Sequence, residues 1–159
     1  KSNEIVKFLK EGGIKDSEIS TTAPTVYDRT ANRYSNEYIA NRYQMQQVVT
    51  VSSDNVDLVR QLILKQGELL KKGIAIGGND YEHQIQYDFN GLNELKPQMV
   101  EVATRNAREV AQKFADDSGS KLGKIQTASQ GQFSIYDRDS NTPWIKNVRV
   151  VTSVTYYLK

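Results

Sequence analysis

The sequence contains no cysteine and only one histidine among its 159 residues. Without cysteine there is no disulfide, no cysteine-based zinc site and no thiolate nucleophile. A single histidine also excludes any metal site built from several histidines. No apolar run reaches the roughly 18 residues that a membrane-spanning helix requires. These absences remove thiol chemistry, multi-histidine metal centres and a bilayer span from consideration, and we expect no cofactor.

The charge of the chain is nearly balanced. It has 21 basic and 19 acidic side chains, which leave a formal net charge of +2. Such a small excess gives no reason to expect a nucleic-acid or membrane-surface partner. The length suits one compact domain, or one domain built from two similar halves, and it can bury a core without a metal or disulfide.

Hydrophobic periodicity predicts a mixture of helices and strands. An apolar stripe indicates the first helix, and Gly12 and Gly13 end it. Asp54 is expected to cap the second helix. Pro97 suits the first position of the longest helix. The predicted helices span residues 4–10, 54–72 and 97–118, and the predicted strands span residues 19–27, 38–51, 82–89, 124–136 and 147–158. The positions expected to be buried on the second helix are Val59, Leu62, Ile63 and Leu70. Those expected to be buried on the longest helix are Ala103, Ala107, Val110, Ala111, Phe114 and Ala115.

A short repeat suggests an internal duplication. The segment Tyr27-Asp28-Arg29 is echoed by Tyr136-Asp137-Arg138, and each follows a helix, a glycine turn and a strand. The element order predicts an α+β fold of two duplicated βαββ-like units, with a largely antiparallel sheet and helices packed on one face. We expect a single domain, residues 1–159, with pseudo-repeat halves at about residues 1–72 and 81–159. The first strand of that pattern is missing, which leads us to expect a removed signal peptide or anchor upstream.

Three stretches carry a resemblance to a known family. They are residues 8–14, the alternating strand at residues 43–51, and a helix with alanines at every fourth position (Ala103, Ala107, Ala111 and Ala115). In this order and spacing they resemble the SIMPL-domain family, which is found mostly in bacterial envelope proteins. The resemblance implies a periplasmic or envelope location and self-association. We therefore expect a homo-oligomer or a complex with a protein partner. It implies no catalytic residues.

The two Tyr-Asp-Arg segments are the candidate interaction sites. As hairpin connections, their aspartates would satisfy turn backbone and their arginines would be solvated. As recognition loops, they would offer tyrosine and arginine, which are favoured at protein interfaces. The candidate residues are Tyr27, Asp28, Arg29, Tyr136, Asp137, Arg138 and an exposed Trp144 beside the second loop.

The evidence for catalysis is weaker. His83 lies near Asp80 and Glu82 in the sequence, but alternation places Glu82 on the opposite face of the predicted strand. The glycine-rich residues 73–80 run from a helix into a strand, the reverse of a phosphate-binding loop, and are expected to be a connector. The favoured hypothesis is therefore a non-enzymatic domain that binds itself or another protein. The alternatives are a small-molecule or glycan-binding domain, and a hydrolase using Asp80, Glu82 or His83.

Overall fold

The computed structural model describes residues 1–31, 40–77 and 81–159. The chain divides into two compact units, Lys1–Gln84 and Ile85–Lys159. Helices and small antiparallel sheets make up both, which confirms the α+β class. The first unit contains α1 (Ser2–Glu11), β1 (Ile19–Thr21), β2 (Thr25–Asp28), β3 (Tyr43–Gln46), β4 (Val49–Val51), α2 (Val56–Lys65) and α3 (Gly67–Lys71). The second contains α4 (Leu92–Asp117), β5 (Leu122–Gln130), β6 (Ser134–Asp137), β7 (Lys146–Arg149) and β8 (Thr152–Leu158).

The first helix ends where the sequence predicted. Helix α1 stops at Glu11, and Gly13 then adopts a left-handed conformation with φ of 103°. Only glycine takes up this backbone conformation without steric cost. A Cβ atom at Gly12 would collide with the buried side chain of Leu62. The glycine pair therefore both turns the chain and allows α1 to approach α2.

The strands of the first unit form one long hairpin, which we name the first ribbon (residues 18–29 and 42–52). Strand β1 pairs with β4, and β2 pairs with β3, both antiparallel. Pro24 lies between β1 and β2, where the ladder does not require the backbone N–H that proline lacks. The sequence predicted strands at residues 19–27 and 38–51, and the structure interrupts each of them. Residues 40–42 do not belong to a strand, and residues 38 and 39 lie outside the described residues.

The region after β4 differs from the prediction in two respects. Asn55, rather than Asp54, caps α2, because its side chain accepts a hydrogen bond from the Leu58 N–H. The predicted single helix also breaks at Gln66, and α3 restarts at Gly67. This break changes the helical phase, so that Leu69 is 1% exposed while Leu70, predicted to be buried, is 65% exposed.

The strand predicted at residues 82–89 is wrong. Residues 81–83 form a turn, and residues 84–90 have no regular structure. The alternation of apolar and polar residues is present there, but none of the described strands pairs with this segment. A strand requires a partner for its backbone groups, and periodicity alone does not supply one.

Helix α4 begins earlier than predicted. It starts at Leu92, so that Pro97 lies inside its second turn instead of at its first position. The alanine stripe packs on β5 and β8, and Ala115 is fully buried. Val110 and Phe114 were also expected to be buried, but they are 53% and 71% exposed. They lie beside the narrow face that the alanines present to the strands.

The strands of the second unit form another long hairpin, which we name the second ribbon (residues 121–138 and 145–159). Strand β5 pairs with β8, and β6 pairs with β7. The register of β5 shifts around Gly123, where a Cβ atom would lie 2.7 Å from the Tyr157 carbonyl oxygen. Gly119, with φ of 68°, makes the turn after α4, and Gly123 lies within β5.

The predicted sheet is replaced by separate two-stranded ladders among the described strands. Each ribbon carries two of them, separated by a short interruption. None of the described helices is long and apolar enough to cross a membrane. The duplication and the single-domain organisation stay predictions, although both ribbons follow a helix and a left-handed glycine.

Candidate functional site

Both Tyr-Asp-Arg segments lie at the same place in their ribbons. Strand β2 ends at Asp28, and β6 ends at Asp137. The next backbone N–H, that of Arg29 or Arg138, donates across the ribbon at 2.8 Å to the carbonyl of Arg42 or Ile145. Each aspartate is thus the last strand residue before the loop at the ribbon tip.

The tip of the first ribbon is closed by an ion pair. The guanidinium of Arg42 donates to Asp28, with Nη2 2.8 Å and Nε 3.1 Å from Oδ2. Thr30 donates to Oδ1 of Asp28 from both its hydroxyl and its backbone N–H. The hydrogen bonds from Arg42 and then Thr30 hold the pKa of Asp28 well below its usual range. Arg42 also lies over the ring of Tyr43, 5.2 Å from its centroid.

The tip of the second ribbon uses two aspartates. Asp137 contacts the ammonium group of Lys146, its direct partner on β7. Asp139 accepts hydrogen bonds from the hydroxyl of Thr142 at 2.5 Å and from Nε of Arg138 at 3.0 Å. These hydrogen bonds, Thr142 first, lower the pKa of Asp139 to about 2. Asp28 and Asp137 therefore both close a ribbon tip by pairing with a cation on the returning chain.

Trp144 differs from its predicted state. It lies in the loop of the second ribbon, as expected, but it is half-buried instead of exposed. Its ring meets that of Tyr87 edge to face, with centroids 6.2 Å apart. This geometry is favourable for two aromatic rings, and it makes Trp144 part of the packing of its own unit.

The tyrosines of the two segments are exposed. Tyr27 is 51% and Tyr136 is 49% exposed. Arg29 is exposed too, and its guanidinium makes no hydrogen bond or ion pair with any residue that the structure describes. These are the predicted site residues that are open to a partner, whereas Asp28, Asp137 and Arg138 are engaged within their own ribbons.

Sequence reasoning missed the most exposed apolar surface of the first ribbon. Val26, Tyr43 and Met45 share one face, because Val26 lies opposite Met45, and Asp28 opposite Tyr43. Their exposed fractions are 55%, 61% and 70%. The alternation of residues 43–51 indicated a half-buried strand, and it identified the shared face correctly. It could not indicate whether anything in the same chain covers that face.

The backbone of β3 is also unpaired on its outer side. Arg29 and Arg42 form a hydrogen-bonded pair, and such pairs alternate with non-bonded ones along an antiparallel ladder. Tyr43 and Met45 therefore occupy the non-bonded positions. Their N–H and C=O groups point away from β2, towards the open edge. No other described strand pairs with that edge.

A comparison with models of known protein families identifies the family of this chain. The model of the SIMPL family, a protein of unknown function (DUF541), matches residues 1–155. The chain belongs to the SIMPL family. A comparison with curated proteins gave no match.

Of the residues considered for catalysis, the structure describes only His83 and Glu82. His83 is half-buried and Glu82 is exposed, both in the turn at residues 81–83. Asp80 lies outside the described residues, as does part of the predicted glycine-rich connector. Among the described residues, no group of histidines and carboxylates could hold a metal ion.

One open groove could receive a small ligand. It has a volume of about 380 Å³ and lies between α4 and the second ribbon. Two cations, Arg108 and Lys124, line it together with the single aromatic ring of Tyr156. This lining favours an anionic group over the flat apolar face of a sugar.

Proposed function

We propose that this SIMPL domain is a non-enzymatic module of the periplasm or cell envelope that acts by binding copies of itself or another protein. The observation that carries the proposal is the exposed apolar face of the first ribbon. An isolated two-stranded hairpin is marginally stable in water, and independent stability needs further strands or a packed layer. A partner that adds strands to this ribbon, or that covers its apolar face, supplies that stability.

The chemistry of the tips also favours a binding role. Arg42 pairs with Asp28 and Lys146 pairs with Asp137 within each ribbon. Because the hydrogen bonds from Arg42 and Thr30 hold the pKa of Asp28 well below its usual range, this carboxylate is not poised to exchange protons at neutral pH. Tyr27 and Tyr136 remain exposed beside the two aspartates. Tyrosine supplies large contact areas at protein interfaces with little loss of side-chain freedom.

The proposed location rests on family membership. The resemblance to a family found mostly in bacterial envelope proteins supports a site of action outside the cytoplasm, and the absence of cysteine is compatible with either redox compartment. Fractionation of the source cells, with an antibody against this chain, tests this part. Recovery with cytoplasmic enzymes instead of envelope proteins would contradict it.

The association is tested by light scattering on a sizing column over a wide range of protein concentrations. We expect a discrete oligomer whose mass is a multiple of 18.0 kDa. A mass of 18.0 kDa at every concentration would overturn self-association. Binding to a different protein would then be the form of the proposal still standing, to be tested by capture from an envelope extract.

Ligand binding is the second candidate, and the groove beside Tyr156 is the observation that favours it. Addition of anionic and neutral oligosaccharides, followed by nuclear magnetic resonance of the tyrosine rings, tests this function. Saturable changes at Tyr156 that Lys124→Gln weakens would support it. Changes spread evenly over the tyrosines would count against a defined site.

A further inference from the structure

The outer edge of β3 and β4 lacks the protection that edge strands usually carry. Natural edge strands are commonly shielded by charged residues, proline, glycine-containing bulges or covering elements. Residues 43–53 contain no charge, no proline and no glycine. The opposite strand of the first ribbon carries Pro24, and β7 in the second ribbon carries Lys146 and Arg149. The β3–β4 edge is therefore less protected than these two strands. Strand β8 also lacks charge, proline and glycine, but α4 packs on it, whereas Tyr43 and Met45 of β3 are exposed.

The residues of this edge whose backbone groups point outward also carry its most exposed apolar side chains. Tyr43 and Met45 direct their backbone N–H and C=O groups outward, and their side chains are 61% and 70% exposed. Met45 is the more exposed of the two. A strand with these properties is a template for pairing with another strand.

We propose that β3 pairs antiparallel with β3 of a second copy of this chain, about a twofold axis at Gln44. This inference deepens the proposed function and rests on it, because it names the partner and the surface. In this register, Tyr43 of one copy lies opposite Met45 of the other, and the reverse contact is identical. Both residues exchange backbone hydrogen bonds across the axis, because both have outward-facing groups.

Charge favours a second copy over a partner of different chemistry. A partner recognised through its charge would need an opposite charge on this edge, and residues 43–53 have none. Two copies of an uncharged edge meet without like-charge repulsion, and the net charge of the whole chain is only +2. A self-complementary surface is also what a twofold interface requires.

The register makes each apolar residue meet another. With Gln44 on the axis, Tyr43 and Met45 form cross-strand pairs, which stabilise a sheet when one member is aromatic. Val26 lies beside Met45, and Asp28 beside Tyr43, on the same face, so the two β2–β3 ladders combine into one four-stranded sheet whose apolar residues are bordered by Asp28 of each copy. Moving the axis by one residue, to Met45, would place Tyr43 opposite Gln47 instead.

Single-cysteine variants test this register, because the chain contains no cysteine of its own. In Gln44→Cys, the two cysteines face each other across the axis. In the matched control Gln46→Cys, on the same face of the same strand, they lie roughly 13 Å apart along the strands. A disulfide requires Cα atoms within about 7 Å. Oxidation of the full chain, read on a non-reducing gel, should give covalent dimer at least about tenfold faster for Gln44→Cys.

Light scattering of the unmodified chain separates the two proposals. If it is oligomeric but Gln44→Cys crosslinks no faster than Gln46→Cys, the edge pairing is wrong while the proposed function stands. If it is a monomer and neither variant crosslinks, the edge pairing and self-association are both wrong, and binding to a different protein is the form of the proposed function that stands. As a second test, Met45→Lys should dissociate the oligomer, whereas Leu64→Lys, on the exposed side of α2, should not. Equal masses for the two lysine variants would also overturn the edge pairing.

Discussion

Arg42 holds Asp28 across the first ribbon, with its Nη2 and Nε atoms 2.8 Å and 3.1 Å from one carboxylate oxygen. Asp28 is the last residue of β2, and Arg42 directly precedes β3 on the returning chain. Such two-point contacts fix the direction of both side chains as well as their distance. The contact makes the ribbon tip a defined structure.

The first prediction concerns this ion pair. In Arg42→Gln, the pKa of Asp28 should rise towards the usual range of aspartate, because the largest cause of its lowering is the hydrogen bond from Arg42. A pH titration of the side-chain carboxyl carbon of Asp28, followed by nuclear magnetic resonance, measures this pKa. The neighbouring variant Arg29→Gln is the control and should leave that pKa nearly unchanged. Equal effects of the two variants would argue against a specific contact.

The second prediction concerns acid stability. Folding lowers the pKa of Asp139 from 3.8 to about 2, chiefly through the hydrogen bond from Thr142. A carboxyl with a lower pKa in the folded chain stabilises the fold above its unfolded pKa, and this stabilisation disappears as the pH falls through the folded pKa. Asp139→Asn should therefore lower the urea midpoint at pH 6, and the difference from the unmodified chain should shrink between about pH 4 and pH 2.

Asp117 provides the control for this measurement. It is exposed and makes no hydrogen bond or ion pair with a described residue. Asp117→Asn should shift the urea midpoint little at either pH. A pH-independent loss in Asp139→Asn would show that the loop depends on the shape of the side chain and not on its charge.

The third prediction compares two adjacent leucines. Leu69 is 1% and Leu70 is 65% exposed. Leu69→Ala should lower the free energy of unfolding by about 2–5 kcal/mol, because it leaves a cavity in the small core of the first unit. Leu70→Ala should change it by no more than about 0.5 kcal/mol. Urea unfolding followed by circular dichroism measures both, and a reversed order would restore the continuous helix predicted from the sequence.

The fourth prediction compares two glycines. A Cβ at Gly123 would lie 2.7 Å from the Tyr157 carbonyl oxygen, whereas one at Gly67 meets nothing within 4 Å. Gly123→Ala should destabilise the chain by at least about 1 kcal/mol, since backbone must move. Gly67→Ala should stabilise it by about 0.4–1 kcal/mol, since alanine restricts the unfolded chain. Thermal unfolding distinguishes the two signs, and destabilisation by both would contradict the open space at Gly67.

Local signals account for the parts of the fold that the sequence predicted. The glycine pair after α1, the apolar spacing of the first helix and the repeated Tyr-Asp-Arg segment all act within a few residues. They located both ribbons and the turn after α1. They also indicated that Tyr27 and Tyr136 lie at comparable positions.

The errors arose where the outcome depends on distant residues. Residues 82–89 alternate like a strand, but pairing requires another strand to be present. The alternation places Tyr43 and Met45 on one face of the strand, but it does not show whether another part of the protein packs against that face. Arg42 was overlooked because an ion pair across a hairpin is visible only once the register is known. Pro97 was placed at a helix start because the preceding turn has no strong signal of its own.

The irregular segment between the ribbons has a consequence for limited proteolysis. Tyr81 is 93% exposed, and residues 84–90 have no regular structure. A protease must bind several residues in an extended form, which an unpaired segment permits. Residues 73–95 contain no lysine or arginine, so chymotrypsin should cut here after Tyr81 while trypsin should not. That single cut would yield one fragment with the first ribbon and another with the second, and each could then be weighed for association by itself.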